Sequence, residues 1–139
     1  MSILFQNVTA VLMDEARTVL KSACVCVDGG KIAYVGTDRP QGGFDRVIDG
    51  HGGILMPGLI NCHTHVPMTA MRGYGDGHDL HDWLHNFIFP VEDHWDDRAI
   101  RACTQIGLME MIASGTTCIT DMYMRVPVIA QAVAEAGIS

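Results

Sequence analysis

His63-Thr64-His65 holds the densest potential chemistry in the chain. In an extended strand residues i and i+2 point to the same face, so the two imidazoles project together. Side by side, two neutral imidazoles ligate Zn²⁺ or Fe²⁺ well and make poor core residues. A pair of hydrogen-bonded strand histidines is the competing account, and the spacing alone does not separate the two. Other groups carry weaker signals. His78, His81 and His85 fall at i, i+3 and i+7, on a helix face opposite its apolar stripe, where solvated histidines are the expectation. Gly73-Tyr74-Gly75-Asp76-Gly77 has the glycines of a phosphate loop but no strand running into a helix start. It reads as a mobile loop over a site mouth. Cys24 and Cys26 share a strand face with no second pair nearby to complete a zinc site, and read as packing residues. Asp121 closes a strand and is expected to make structural hydrogen bonds. His51 and His94 carry no readable signal.

The elements that would position these groups change character near residue 57. Before it, Ile3 to Leu12 reads as a strand, and Ala23 to Val27 and Lys31 to Val35 flank the turn Asp28-Gly29-Gly30. Thr37 to Gly43 reads as a loop, and Arg46 to Asp49 as a further short strand ahead of a glycine-rich stretch. Residues 1–56 are thus predicted to form a small β-rich domain. After Pro57, Leu59 to His65 reads as a buried parallel strand. Leu80, Trp83, Leu84, Phe87 and Ile88 keep helical spacing, which predicts a short amphipathic helix over Asp79 to Phe89, stopped by Pro90. Asp96 to Ser114 is a longer helix with an acidic first turn and Gly115 beyond its end. Thr116 to Met122 is a second buried strand, and Pro127 to Ala136 a third helix ended by Gly137. Residues 57–139 are therefore predicted to form two βα units, with Gly137-Ile138 leading toward another strand. Two such units cannot close a sheet, and an eight-unit barrel needs about 250 residues. The expectation is a fragment of a larger protein, the other option being a sheet completed by a second polypeptide.

The 139 residues fit one ordinary domain, with 48% apolar and 18% charged side chains. Sixteen acidic against nine basic residues give a net charge of −7, the wrong balance for a protein that displaces counterions from nucleic acid. No apolar run approaches the ~18 residues that span a bilayer, so no membrane partner is expected. The first residues lack the basic start and cleavage site of a signal peptide. Five cysteines, an odd number mostly within apolar runs, suit thiols in a reducing cytoplasm.

Met56-Pro57-Gly58-Leu59-Ile60-Asn61-Cys62-His63-Thr64-His65 resembles the start of the barrel in the amidohydrolase superfamily. The likeness continues through Val66 to Tyr74, Trp83-Leu84, Pro90-Val91-Glu92, Ser114-Gly115-Thr116-Thr117 and Asp121-Met122-Tyr123. Among its branches the chain resembles the 5′-methylthioadenosine/S-adenosylhomocysteine deaminases and related aminohydrolases. The opening hairpin is similar to the small β-domain that precedes the barrel there. The resemblance implies the N-terminal part of a (β/α)₈ barrel behind a small β-rich segment.

It further implies that His63 and His65 hold a divalent metal, Zn²⁺ or alternatively Fe²⁺. Trp83 and Glu92 would line a nucleoside site, the carboxylate accepting from ribose hydroxyls. Unaided, Trp83 would read as core packing and Glu92 as a solvated acid. The implied reaction is metal-assisted hydrolytic deamination of an adenine nucleoside or related amino-heterocycle by an activated water. Guanine deamination and triazine-type chlorohydrolase or aminohydrolase chemistry are the alternatives. No catalytic residue beyond the metal ligands falls within this chain, and two imidazoles are one short of the usual three protein ligands of catalytic zinc. The chain alone is therefore expected to be inactive, and a truncated binding or self-associating module is the contrasting possibility. A small-molecule substrate and a homo-oligomeric assembly complete the expectations.

Overall fold

The computed structural model describes residues 1–139, which separate into two compact units, Met1–Pro57 and Gly58–Ser139. The first is one five-stranded sheet. Strands β1 (Ser2–Val11), β2 (Val19–Asp28) and β3 (Lys31–Gly36) form an antiparallel meander, and β2 turns into β3 through Gly29 and Gly30, both at positive φ. On the other edge of β1, β4 (Arg46–Asp49) and then the two-residue β5 (Ile54–Leu55) pair parallel to it in succession. β2 begins four residues earlier than its apolar run suggests, and β5 is too short to show a period of its own.

A bulge organises this unit. Asn7 sits at φ 54°, and the β1–β2 register shifts between Phe5 and Val8. The extra residue lets Phe5 and Val8 share a face despite their odd spacing. Val8, Ala10, Ala23 and Val25 pack there with Phe5 and Leu55, while Leu4, Cys24 and Cys26 pack on Tyr34 and Phe44. The two cysteines are buried free thiols, as their spacing implied.

In the second unit, β6 (Leu59–Thr64) pairs parallel with β7 (Thr116–Asp121), Leu59 opposite Thr116 and Thr64 opposite Asp121. Between them run a 3₁₀ segment (Val66–Met71), a helical stretch from Leu80 to Glu92, and α3 (Asp97–Ala113); α4 (Val126–Ala136) follows β7. Asp96 caps α3, its Oδ1 accepting from the Ala99 N–H at 2.8 Å, and Gly115 follows the helix at φ 87°. Beyond α4, Ser139 exchanges backbone hydrogen bonds with Thr117 and Ile119 on the free edge of β7, the pairing that Gly137-Ile138 foreshadowed. The core gathers Val66, Leu108, Ala132 and Ile138.

Two expectations need correction here. The strands are parallel but not buried: Leu59 and Ile60 of β6 are 50% and 64% exposed, because only β7 flanks it, and in β7 Thr116 alone is buried. Pro90 does not stop the helix at Phe89. α1 (Leu80–Asp82) passes into a π-helical segment, Trp83–Ile88, and then α2 (Phe89–Glu92), with Pro90 in the first turn of α2. The Phe89 N–H bonds the Leu84 carbonyl five residues back. This wider turn absorbs a proline that would break a uniform α-helical ladder. No helix is long and apolar enough to cross a membrane.

Gly107 marks the closest approach of α3 to the 3₁₀ segment. A Cβ there would lie 2.7 Å from Val66 Cγ1 and 2.8 Å from Thr69 Oγ1. Val66 is buried and β-branched, so it cannot swing aside. Gly107→Ala should therefore lower stability by about 1–3 kcal/mol, although alanine is the better helix former by about 1 kcal/mol. Chemical denaturation checks this, and an unchanged or raised midpoint would refute the packing account.

Candidate functional site

The carboxyl ends of β6 and β7 carry the site. His65 lies one residue past β6, its ring centroid 5.2 Å from that of His63 and nearly perpendicular to it. His65 Nδ1 lies 2.6 Å from the Met122 carbonyl. A carbonyl only accepts, so Nδ1 carries the hydrogen, and in the neutral ring it is Nε2 that keeps the lone pair. That is the tautomer a metal needs, held by an outer carbonyl as in metal-bound histidines. The next residue is tied down as well: the Val66 N–H donates to Asp121 Oδ1 at 3.2 Å. Asp121 Oδ2 is the one buried side-chain polar atom without a partner, and burial pushes this carboxyl above its ordinary value, against the Val66 hydrogen bond. Asp121 thus makes the structural bond expected of it.

A cavity of about 440 Å³ opens beside His65, within the range of small-molecule sites. His65, Trp83 and Glu92 all line it. His63 does not, and meets the site through its neighbour's ring. Trp83 donates Nε1–H to the Tyr74 carbonyl at 2.9 Å, which spends its only donor and leaves the ring as an apolar wall. The same bond holds the glycine loop. Gly75, at φ 73°, lies so close to Trp83 and Phe87 that a Cβ would come within 2.9 Å of either. The loop expected to be mobile is thus packed on the helix.

Glu92 is 5% exposed, which disposes of the solvated-acid account. Its Oε1 accepts a hydrogen bond from the Tyr123 hydroxyl. Burial, and then the bond to Glu92, push the Tyr123 phenol far above its ordinary value, so it stays a donor. In a uniform α-helix Trp83 and Glu92, nine residues apart, would face about half a turn away from each other. The π segment between them turns less per residue and brings both to the cavity. Tyr123 is the site residue that the sequence reasoning left without a role. Its signal was its position just past the carboxyl end of β7, where barrel enzymes place their chemistry. Met68, Met122 and Met124 also line the cavity and were missed. His81 and His85 stack on each other, exposed, and His78 contacts Asp82; no three His, Cys, Asp or Glu side chains converge on a common metal position. The two imidazoles at the β6 end are donors of the kind a divalent metal takes, and the bond to Met122 sets the His65 tautomer that suits one.

Comparison with known proteins gives this pair of parallel strands, with its two imidazoles at one carboxyl end, a family. Residues 54–139 match the Amidohydrolase family. The chain is 38% identical to a 5-methylthioadenosine/S-adenosylhomocysteine deaminase of Thermoanaerobacter pseudethanolicus, covering 99% of this chain and 32% of that protein. It is also 38% identical to a 5'-deoxyadenosine deaminase of Methanosphaera stadtmanae, over 99% of this chain and 31% of the relative. Among solved structures it overlays an atrazine chlorohydrolase of Arthrobacter aurescens TC1 complexed with zinc at TM-score 0.89 and 27% identity, covering 98% of this chain and 34% of that one. An adenosine deaminase of Xanthomonas campestris with bound zinc overlays at TM-score 0.84 and 30% identity, over 96% and 31% of the two chains. The chain belongs to the amidohydrolase family and has the fold of the opening third of these proteins: the β-rich unit and the first βα units of the barrel. It spans about a third of the length of the curated relatives it matches.

Trp83→Phe keeps the apolar wall and removes the bond to Tyr74. Amide hydrogen exchange over residues 73–79 should then speed up about tenfold, the equivalent of one hydrogen bond. Unchanged exchange there would show that Trp83 does not hold the loop.

Proposed function

We propose that this chain is the N-terminal part of a metal-dependent hydrolase that deaminates an adenine nucleoside or a related amino-heterocycle. The observation that carries the reading is a single cavity lined by both a metal-competent imidazole and a buried carboxylate. His63 and His65 would supply two ligands to the metal, zinc by analogy with the zinc-bound relatives. A divalent metal supplies Lewis acidity that brings the pKa of water toward neutrality. The Met122 carbonyl fixes the His65 tautomer, and the Asp121–Val66 bond holds the backbone beside it. Trp83 offers a flat apolar surface to a heterocycle, and Glu92 accepts from sugar hydroxyls. Two imidazoles fall short of the usual three protein ligands, so the 139 residues alone should not turn over substrate. A cytoplasmic setting suits the five free thiols, none of them paired.

A second reading, hydrolysis at a triazine or guanine ring, draws on the likeness to the atrazine chlorohydrolase. Glu92 favours the nucleoside, because a buried carboxylate beside a bare heterocycle would meet no hydroxyl.

In the native gene product, His63→Ala or His65→Ala should lose bound zinc and ammonia release together. Normal metal content by elemental analysis in either variant would sink the ligand assignment. Glu92→Gln should raise KM for nucleosides about tenfold or more, the worth of a hydrogen bond to a charged group, and leave the free base unaffected. An equal change for both would remove the sugar role and favour the second reading.

A further inference from the structure

Glu92 is the buried carboxylate of the site, and none of the chain's ion pairs involves it. A carboxylate out of water needs hydrogen-bond donors, and the chain offers Glu92 one through a side chain, the Tyr123 hydroxyl on Oε1. Oε2 has no such partner, yet it is not a sealed orphan: the one buried side-chain polar atom without a partner is Asp121 Oδ2. Glu92 lines the cavity, so Oε2 is the oxygen that remains available there. The two oxygens are thus differentiated, one held by the protein and one left for a ligand.

Tyr123 also lies near His65. Its ring centroid lies 6.4 Å from that of His65, the planes tilted by 40°. One rigid side chain, anchored just past the carboxyl end of β7, therefore lies between the imidazole and the carboxylate. A carboxylate on a flexible glutamate stem would otherwise have more rotamer freedom to lose when a ligand binds.

We propose that Tyr123 is a positioning residue that confers selectivity for sugar hydroxyls, acting through Glu92: its hydroxyl pins Oε1 and thereby aims Oε2 at the hydroxyls of a bound nucleoside. The inference rests on the reading that Glu92 accepts from those hydroxyls. It goes further in assigning the preference for ribosides over dideoxyribosides to a hydrogen-bonded pair of residues, one from α2 and one from just past β7.

The test compares steady-state deamination of adenosine and of 2′,3′-dideoxyadenosine by the zinc-loaded native gene product, its Tyr123→Phe and Glu92→Gln variants and the double variant. Tyr123→Phe should raise KM for adenosine about tenfold, with kcat within about twofold and KM for the dideoxy substrate unchanged. The double variant should lose no more preference for adenosine than Glu92→Gln alone, because the amide of that variant, whose Oε1 still accepts from the Tyr123 hydroxyl, turns donor hydrogens rather than an acceptor oxygen toward the sugar. An unchanged adenosine KM in Tyr123→Phe, or an equal rise for both substrates, overturns the proposal. Should Glu92→Gln lose its preference for adenosine while Tyr123→Phe keeps it, the tyrosine role alone fails. Should Glu92→Gln keep that preference, the sugar reading of Glu92 fails, and this inference with it. If Tyr123→Phe does not fold because a buried charge loses its donor, the double variant against Glu92→Gln decides. Equal selectivity supports the proposal, and a further loss in the double variant overturns it.

Discussion

Parallel strands have no hairpin to set their register, so β6 and β7 are aligned by what their carboxyl ends bond to. Three contacts cluster there: the Met122 N–H on the Thr64 carbonyl, His65 Nδ1 on the Met122 carbonyl, and the Val66 N–H on Asp121 Oδ1. A slip by one residue would send every side chain on β6 to the opposite face and break all three. The pairing therefore sets the His65 tautomer, the path of the chain out of β6 and the position of Tyr123 together. Asp121 serves this junction while leaving one carboxylate oxygen buried and unpartnered.

The helical stretch from Leu80 to Glu92 answers to the same site. Its π segment makes room for Pro90 and turns Trp83 and Glu92 toward one cavity. π turns are uncommon and tend to appear where function asks for a rotated face. The tryptophan in turn holds the glycine loop through Tyr74, so loop, helix and cavity wall form one continuous piece of packing. At the far end of α2, a carboxylate is kept out of water by the hydroxyl of a residue beyond β7. The cavity is thereby closed by partners 31 residues apart in sequence.

Much of this was legible in the residues. The βα alternation, the caps Asp96 and Gly115, the Gly29-Gly30 hairpin and the neighbouring rings of His63 and His65 all follow from local rules of spacing, capping and turn chemistry. Such rules act within a few residues, and sequence displays them directly. The resemblance of the stretch from Met56 to His65 to a known barrel start added the functional assignment, and the match of residues 54–139 to the family supports it.

Local rules failed where distant groups met. Residue spacing was enough for most of the elements, their order and the imidazole pair, and the stretch from Met56 to His65 for the family. It could not tell that Pro90 would be carried through a helix, that β6 would lie exposed, or that Glu92 would be buried. Each of these depends on which surface another element covers. The tertiary structure alone decided that His65, Trp83, Glu92 and Tyr123 share one cavity. That sharing rests on a parallel register and a rotated helix face, both products of long-range packing and backbone hydrogen bonding that no short window of residues encodes.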